Sequence, residues 1–96
     1  MTVFAVNYFY NDDTDTIDAL RPEHRAWLKS QLEAGNMLAS GPLVKPGPLS
    51  ALLIWQSEDI EALSGLLDQD PFQIAGVVEE TVISEWNAIF GPFEGK

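Results

Sequence analysis

The segments Val3–Tyr10 and Leu49–Gln56 are rich in β-branched and aromatic residues and read as strands, yet each is apolar on both faces. Along the first, Val3, Ala5 and Phe9 alternate with Phe4, Val6, Tyr8 and Tyr10; along the second, Leu49, Ala51, Leu53 and Trp55 alternate with Leu52 and Ile54. Successive strand side chains point to opposite sides, so a sheet built from these segments presents two apolar surfaces. Helices in a chain of 96 residues suffice to cover one of them. A bare apolar sheet face is an aggregation liability. The pattern therefore predicts a partner over the second face. Size points the same way, because a chain this short buries about 60–65% of its unfolded surface and association adds to that.

The remaining elements follow from punctuation. "NDDTDTID" reads as a polar acidic loop. Pro22 suits a first helical turn, so a helix is predicted from Pro22 to about Ala34, stopped by Gly35. "MLASGPL" is a short strand closed by Gly41-Pro42, and "KPGP" a turn. "SEDIEALSGLLDQD" is a helix with Ser57 as its N-cap, "PFQIAG" a further helical turn, and Val77–Asn87 a fourth strand before the tail "IFGPFEGK". The order is β-α-β-β-α-β within a single domain over residues 1–96, with no linker, repeat or low-complexity stretch. This is the ferredoxin-like α+β arrangement, a four-stranded antiparallel sheet with both helices on one face.

Charge and composition narrow the function. Fifteen acids stand against five bases, a formal charge of −10. Such a balance argues against nucleic-acid and anionic-membrane partners, which need basic patches. There are no cysteines and a single histidine, so no disulfide, thiolate metal site or thiol catalysis is expected, and no metal or organic cofactor is assigned. The acidic loop lacks the glycine and glutamate of a calcium-binding EF-hand: Thr16 and Pro22 stand at those positions. "MTVFAVNYFY" is no secretory leader and no apolar run approaches a membrane span. The expectation is a cytoplasmic protein.

The lone histidine is the first candidate for chemistry. At about 100° per residue, Leu28, Gln31, Trp27 and Leu32 all fall within about 80° of His24, whereas Arg25 marks the polar edge. His24 thus belongs to the apolar stripe of its helix. A core histidine satisfied by a backbone carbonyl is the commoner explanation, and a functional one the sharper. Asp70 precedes Pro71 and suits the N-cap of the turn that follows, a role compatible with a second one because a carboxylate has two oxygens. Ser40 before Gly41-Pro42 fits a turn better than a nucleophile. Trp27, Trp55, Trp86 and Phe72 suit core, interface or an aromatic pocket wall.

Taken in order, "RPEHRAWLKSQLEAGNMLASGPL", "GPLSALLIW" and "DQDPFQIAGVV" with the closing strand through Trp86 resemble the YciI-like, or YCII-related, proteins over about residues 3 to 90. The resemblance implies a dimeric α+β barrel, two ferredoxin-like sheets packed face to face. It implies a site on the histidine of the first helix and the aspartate of the "DPF" segment, here His24 and Asp70. A few relatives eliminate chloride from chlorinated aromatic breakdown products; others are associated with regulatory proteins. The expectation is a homodimeric enzyme without cofactor, acting by proton abstraction, elimination or isomerisation on a small aromatic or carbonyl compound. His24 is its general base and Asp70 the orienting carboxylate. Arg21, Ser40, Gly41, Pro42 and Phe72 are assigned to the substrate. The alternative is a non-catalytic small-ligand-binding or regulatory dimeric module. No role is transferred to the acidic loop.

Overall fold

The computed structural model describes residues 1–96. The elements are β1 (Thr2–Tyr10), α1 (Thr14–Glu33), β2 (Met37–Leu43), β3 (Ser50–Ser57), α2 (Ile60–Leu67), the single turn α3 (Pro71–Ile74) and β4 (Val78–Glu85). The sheet has the order β2-β3-β1-β4 and every neighbouring pair is antiparallel. The fold is ferredoxin-like α+β, the protomer architecture of dimeric α+β barrels.

Alternation sorts the sheet into two sides. Phe4, Val6 and Tyr8 of β1 and Ala51, Leu53 and Trp55 of β3 form one buried cluster with Leu28 of α1, Met37 of β2, and Leu63 and Leu67 of α2. Ala5, Asn7 and Phe9 pair with Ile54, Leu52 and Ser50, and therefore share the opposite, helix-free side. On that side Phe9, Leu43 and Val82 are 38%, 40% and 39% exposed. The two-sided pattern in the sequence is thus real, and the chain's helices cover one side.

α1 departs from the expected boundaries. It begins at Thr14, so the second half of the supposed acidic loop is helical and Pro22 lies well inside the helix. The Asp13 carboxylate makes this start, accepting the Thr16 backbone N–H at 3.2 Å and the Thr16 hydroxyl at 2.7 Å. The apolar spacing Ile17, Leu20, His24, Leu28 runs through Pro22 without a break. An interior proline costs a helix about 3 kcal/mol. The fully buried Ile17 and half-buried Leu20 offset this at about 1.5–3 kcal/mol for each fully buried apolar side chain. At the other end Gly35 adopts φ +82°, and the Gly35 and Asn36 N–H groups donate to Leu32 and Gln31, a Schellman closure. The second helix is capped by Asp59, which accepts the Ala62 N–H at 2.8 Å, and not by Ser57.

Two bulges shape the region between α1 and the sheet. In β2, Met37 pairs with Trp55 but Ala39 with Ile54, so Leu38 is an extra residue. If β2 kept Leu38 and ran as a regular strand, Met37, Ala39 and Gly41 would share a face. With the bulge Met37 joins the helix-side cluster while Ser40 and Pro42, opposite Leu53 and Ala51, turn toward the helices. In β4 a shift between Phe9 and Tyr10 sets Tyr10 against Val78.

Candidate active site

His24 and Asp70 are 46 residues apart, and the fold brings them together. His24 points inward from the middle of α1, with its Nδ1 2.8 Å from Asp70 Oδ1. Asp70 is delivered by the turn after α2. Pro71 starts α3, the residue before a proline favours extended backbone, and Asp70 adopts φ −63°, ψ 128°. Its Oδ1 also accepts the Phe72 backbone N–H at 2.9 Å. Capping and contact with the histidine are therefore performed by one oxygen. The other, Oδ2, accepts the Tyr8 hydroxyl at 3.0 Å.

Three donors thus converge on a fully buried carboxylate. A carboxylate can only accept, so the bond to His24 requires the hydrogen on Nδ1 and leaves Nε2 as the lone-pair nitrogen. Trp55 Nε1 is the sole fully buried side-chain polar atom without a partner. Nε2 makes no bond within the protein, so it retains solvent access, and His24 lines a cavity. Phe72 stacks on the imidazole with ring centroids 3.9 Å apart and planes 11° from parallel. This face-on contact and the bond to Asp70 together hold the plane of the ring.

Tyr8 escaped the reading of the sequence. Its place in the first strand was visible, but both faces of β1 are apolar, so nothing distinguished it from a core aromatic. A buried tyrosine needs a partner for its hydroxyl, and that requirement is the one available signal. Burial first, and the Asp70 charge second, raise the Tyr8 phenol well above its ordinary value. Tyr10 packs edge-on against Phe72 and is pushed up to about 12 by burial and then by Asp70, with Arg21 opposing. These are the chain's two tyrosines. Both bind protons more tightly folded than unfolded, so their contribution to stability is complete below pH 10 and is lost as pH rises toward 12. An ultraviolet titration is expected to show almost no tyrosinate at pH 10.5 in the folded protein, where free tyrosine is mostly ionised. Tyrosinate should then appear together with unfolding. Ionisation of both rings near pH 10 with the fold intact would contradict this arrangement.

The cavity has a volume of about 390 Å³. Its wall includes Tyr10, His24 and Phe72 on the dyad side, Leu28 and Leu32 of α1, and Met37, Ala51 and Leu53 of the sheet. Of the residues assigned from sequence to the substrate, Arg21, Ser40, Gly41, Pro42 and Phe72 all line it, while Asp70 stands behind the imidazole. Arg21 is held by Asp18 at 2.7 Å. Gly41 has no positive φ, and open space lies where its Cβ would stand. No three His, Cys, Asp or Glu side chains converge anywhere in the chain. No helix is long and apolar enough to cross a membrane.

An α+β protomer with a histidine–carboxylate pair at one apolar cavity defines a class, and comparison with known proteins supplies the family. The YCII-related domain model matches residues 1–87, and the chain belongs to that family. Among solved structures it is similar to the 5-chloro-2-hydroxyhydroquinone dehydrochlorinase TftG of Burkholderia phenoliruptrix AC1100, in complex with 2,5-dihydroxybenzoquinone. That match has a TM-score of 0.76 and 18% identity, covering 88% of this chain and 92% of the other. It is also similar to a variant of SnoaB, a cofactor-independent oxygenase of Streptomyces nogalater. There the TM-score is 0.52 and the identity 13%, with 97% of each chain covered. At these identities the likeness is one of fold. No curated protein sequence matches the chain at a significant level.

Proposed function

We propose that this protein is a small enzyme that removes a proton from a small aromatic or carbonyl-bearing molecule, without metal or organic cofactor, and so promotes elimination or isomerisation. One observation carries the reading: His24 Nδ1 lies 2.8 Å from Asp70 Oδ1 and the same ring lines a cavity, an arrangement in which the carboxylate fixes the tautomer and Nε2 is left free. A general base needs this combination of an oriented ring and a free lone pair that a substrate can reach. Nε2 takes the proton, and Asp70 stabilises the imidazolium. In an elimination, the electrons of the broken C–H bond form the new π bond and the leaving group departs with its own pair. In an isomerisation, the imidazolium returns the proton to another carbon. Arg21, Ser40, Gly41, Pro42 and Phe72 position the substrate. The names of the two similar structures, a dehydrochlorinase and a cofactor-independent oxygenase, are consistent with such chemistry.

The active species is a homodimer with the helix-free faces packed together, because Phe9, Leu43, Leu52 and Val82 leave that side apolar. A test that assumes no substrate is exchange in D2O. A panel of hydroxyquinols, hydroxyquinones and aryl ketones, some chlorinated, is followed by NMR for deuterium uptake and by chloride release. Acceleration of either process over buffer is expected for at least one member. Tight binding with neither process accelerated across the panel would instead favour the non-catalytic ligand-binding module.

A further inference from the structure

The charge lining the cavity opposes the charge of the chain. Arg21, Arg25 and Lys29 are three of its five bases, and all three line the cavity; none of its fifteen acids does. They stand at i, i+4 and i+8 along α1, a row spanning about 12 Å. Arg21 is answered by Asp18, whereas Arg25 and Lys29 form no ion pair. Like charges four residues apart on a helix repel. Arg25 therefore has a repelling neighbour on each side, in a chain with acids in threefold excess. Two of the row's three positions form no ion pair, Glu33 standing one turn beyond Lys29 without reaching it.

We propose that the cavity is selective for an organic anion, a small flat apolar body bearing a carboxylate or an ionised ring hydroxyl, with Arg25 and Lys29 as its specificity determinants. The anionic oxygen sits on these two cations and the apolar body against Leu28, Leu53 and Phe72, within reach of His24. This deepens the proposed function and rests on it in one respect: removing a proton from an anion builds a second negative charge, which the cationic row stabilises as it develops. Of the two, Arg25 was legible in the sequence as the polar edge of α1. Their part in the cavity depends on β2 and β3 closing the opposite wall.

Binding can be measured apart from turnover. Calorimetric titration of the whole chain at pH 8 uses benzoate as the carboxylate, 4-nitrophenolate as the ionised hydroxyl, and benzamide as the neutral body of matching shape. At least one of the anions is expected to bind tenfold or more tightly than benzamide, the scale of about one charge-assisted contact. The double variant Arg25→Gln/Lys29→Gln changes two exposed side chains, so it should fold. It should lose that advantage while binding benzamide as the wild type does. Equal affinity for both anions and benzamide overturns the proposal, as does failure of both anions to bind at millimolar concentration. Undiminished anion binding by the double variant overturns it too. In His24→Asn, which lacks the base, the anion preference should persist. Its disappearance there overturns the assignment to Arg25 and Lys29, whereas loss of exchange activity alone bears on the dyad and leaves the anion site standing.

Discussion

Replacing His24 by Asn is expected to lower proton exchange or elimination by roughly a hundredfold or more, the scale of a general base, with the fold and oligomeric state retained. Asparagine is the informative choice because its side-chain N–H reaches the place of Nδ1 and still donates to Asp70, while nothing replaces Nε2. His24→Ala should lose as much activity but also leaves the buried carboxylate one donor short. Asp70→Asn should cause a loss of similar size for another reason. The amide oxygen still accepts the Phe72 N–H, and the Tyr8 hydroxyl can turn to accept from the new amide group, so the cap survives. What disappears is the negative charge that orients and stabilises the imidazolium. Tyr8→Phe removes one of the three donors and should cost about 1–3 kcal/mol of stability, with a smaller loss of rate. Rates come from the deuterium and chloride assays, folding from thermal melts. Wild-type exchange in His24→Asn would end the assignment of the base.

The second large effect separates two adjacent leucines. Leu53 faces the helices and is 1% exposed, whereas Leu52 faces the open side opposite Asn7 and Gly41. An unpaired charge in the core costs several kcal/mol, a large share of the 5–15 kcal/mol that holds a small domain together. Leu53→Asp is therefore expected to abolish folding. Leu52→Asp leaves that core intact and places its charge at the proposed interface. It is expected to give a folded chain of half the wild-type particle mass. Light scattering coupled to gel filtration, with circular dichroism on the peak, reads both. A wild type that runs as a folded monomer of 10.6 kDa at micromolar concentration would refute the dimer.

How much of this was legible beforehand depends on the residue. The β-branched and aromatic runs of β1 and β3, bounded by turn residues, gave the sheet, and apolar residues at both parities gave its two apolar faces. Periodicity also turned His24 inward. It could not say whether a carbonyl or a carboxylate would meet it, since that depends on where the chain returns 46 residues later. Pro22 was misplaced because a proline is the stronger local signal for a helix start, whereas the true start rests on the Asp13 cap and on burying Ile17. The part played by Tyr8 was hidden by its being one aromatic among several. Arg25 looked like a solvated edge because the wall facing it belongs to β2 and β3.

The extra residue at Leu38 carries a consequence for how such a pocket changes over time. Downstream of it, the side chains of Ser40 and Pro42 face the cavity, whereas Ala39 and Gly41 have the opposite parity and Gly41 lines the cavity through its backbone alone. Straightening the bulge with every residue kept, so that Leu38 paired with Ile54, would slip the rest of β2 by one residue and exchange the two sets between the inside and the outside of the sheet. Four positions would be rewritten in one event, and the strand pairing of β3 with β1 would be left alone. Point substitution needs several steps, through intermediates, to alter this wall as much. For a scaffold whose dyad is anchored on other elements, a register slip in β2 is thus a short evolutionary route to a new ligand.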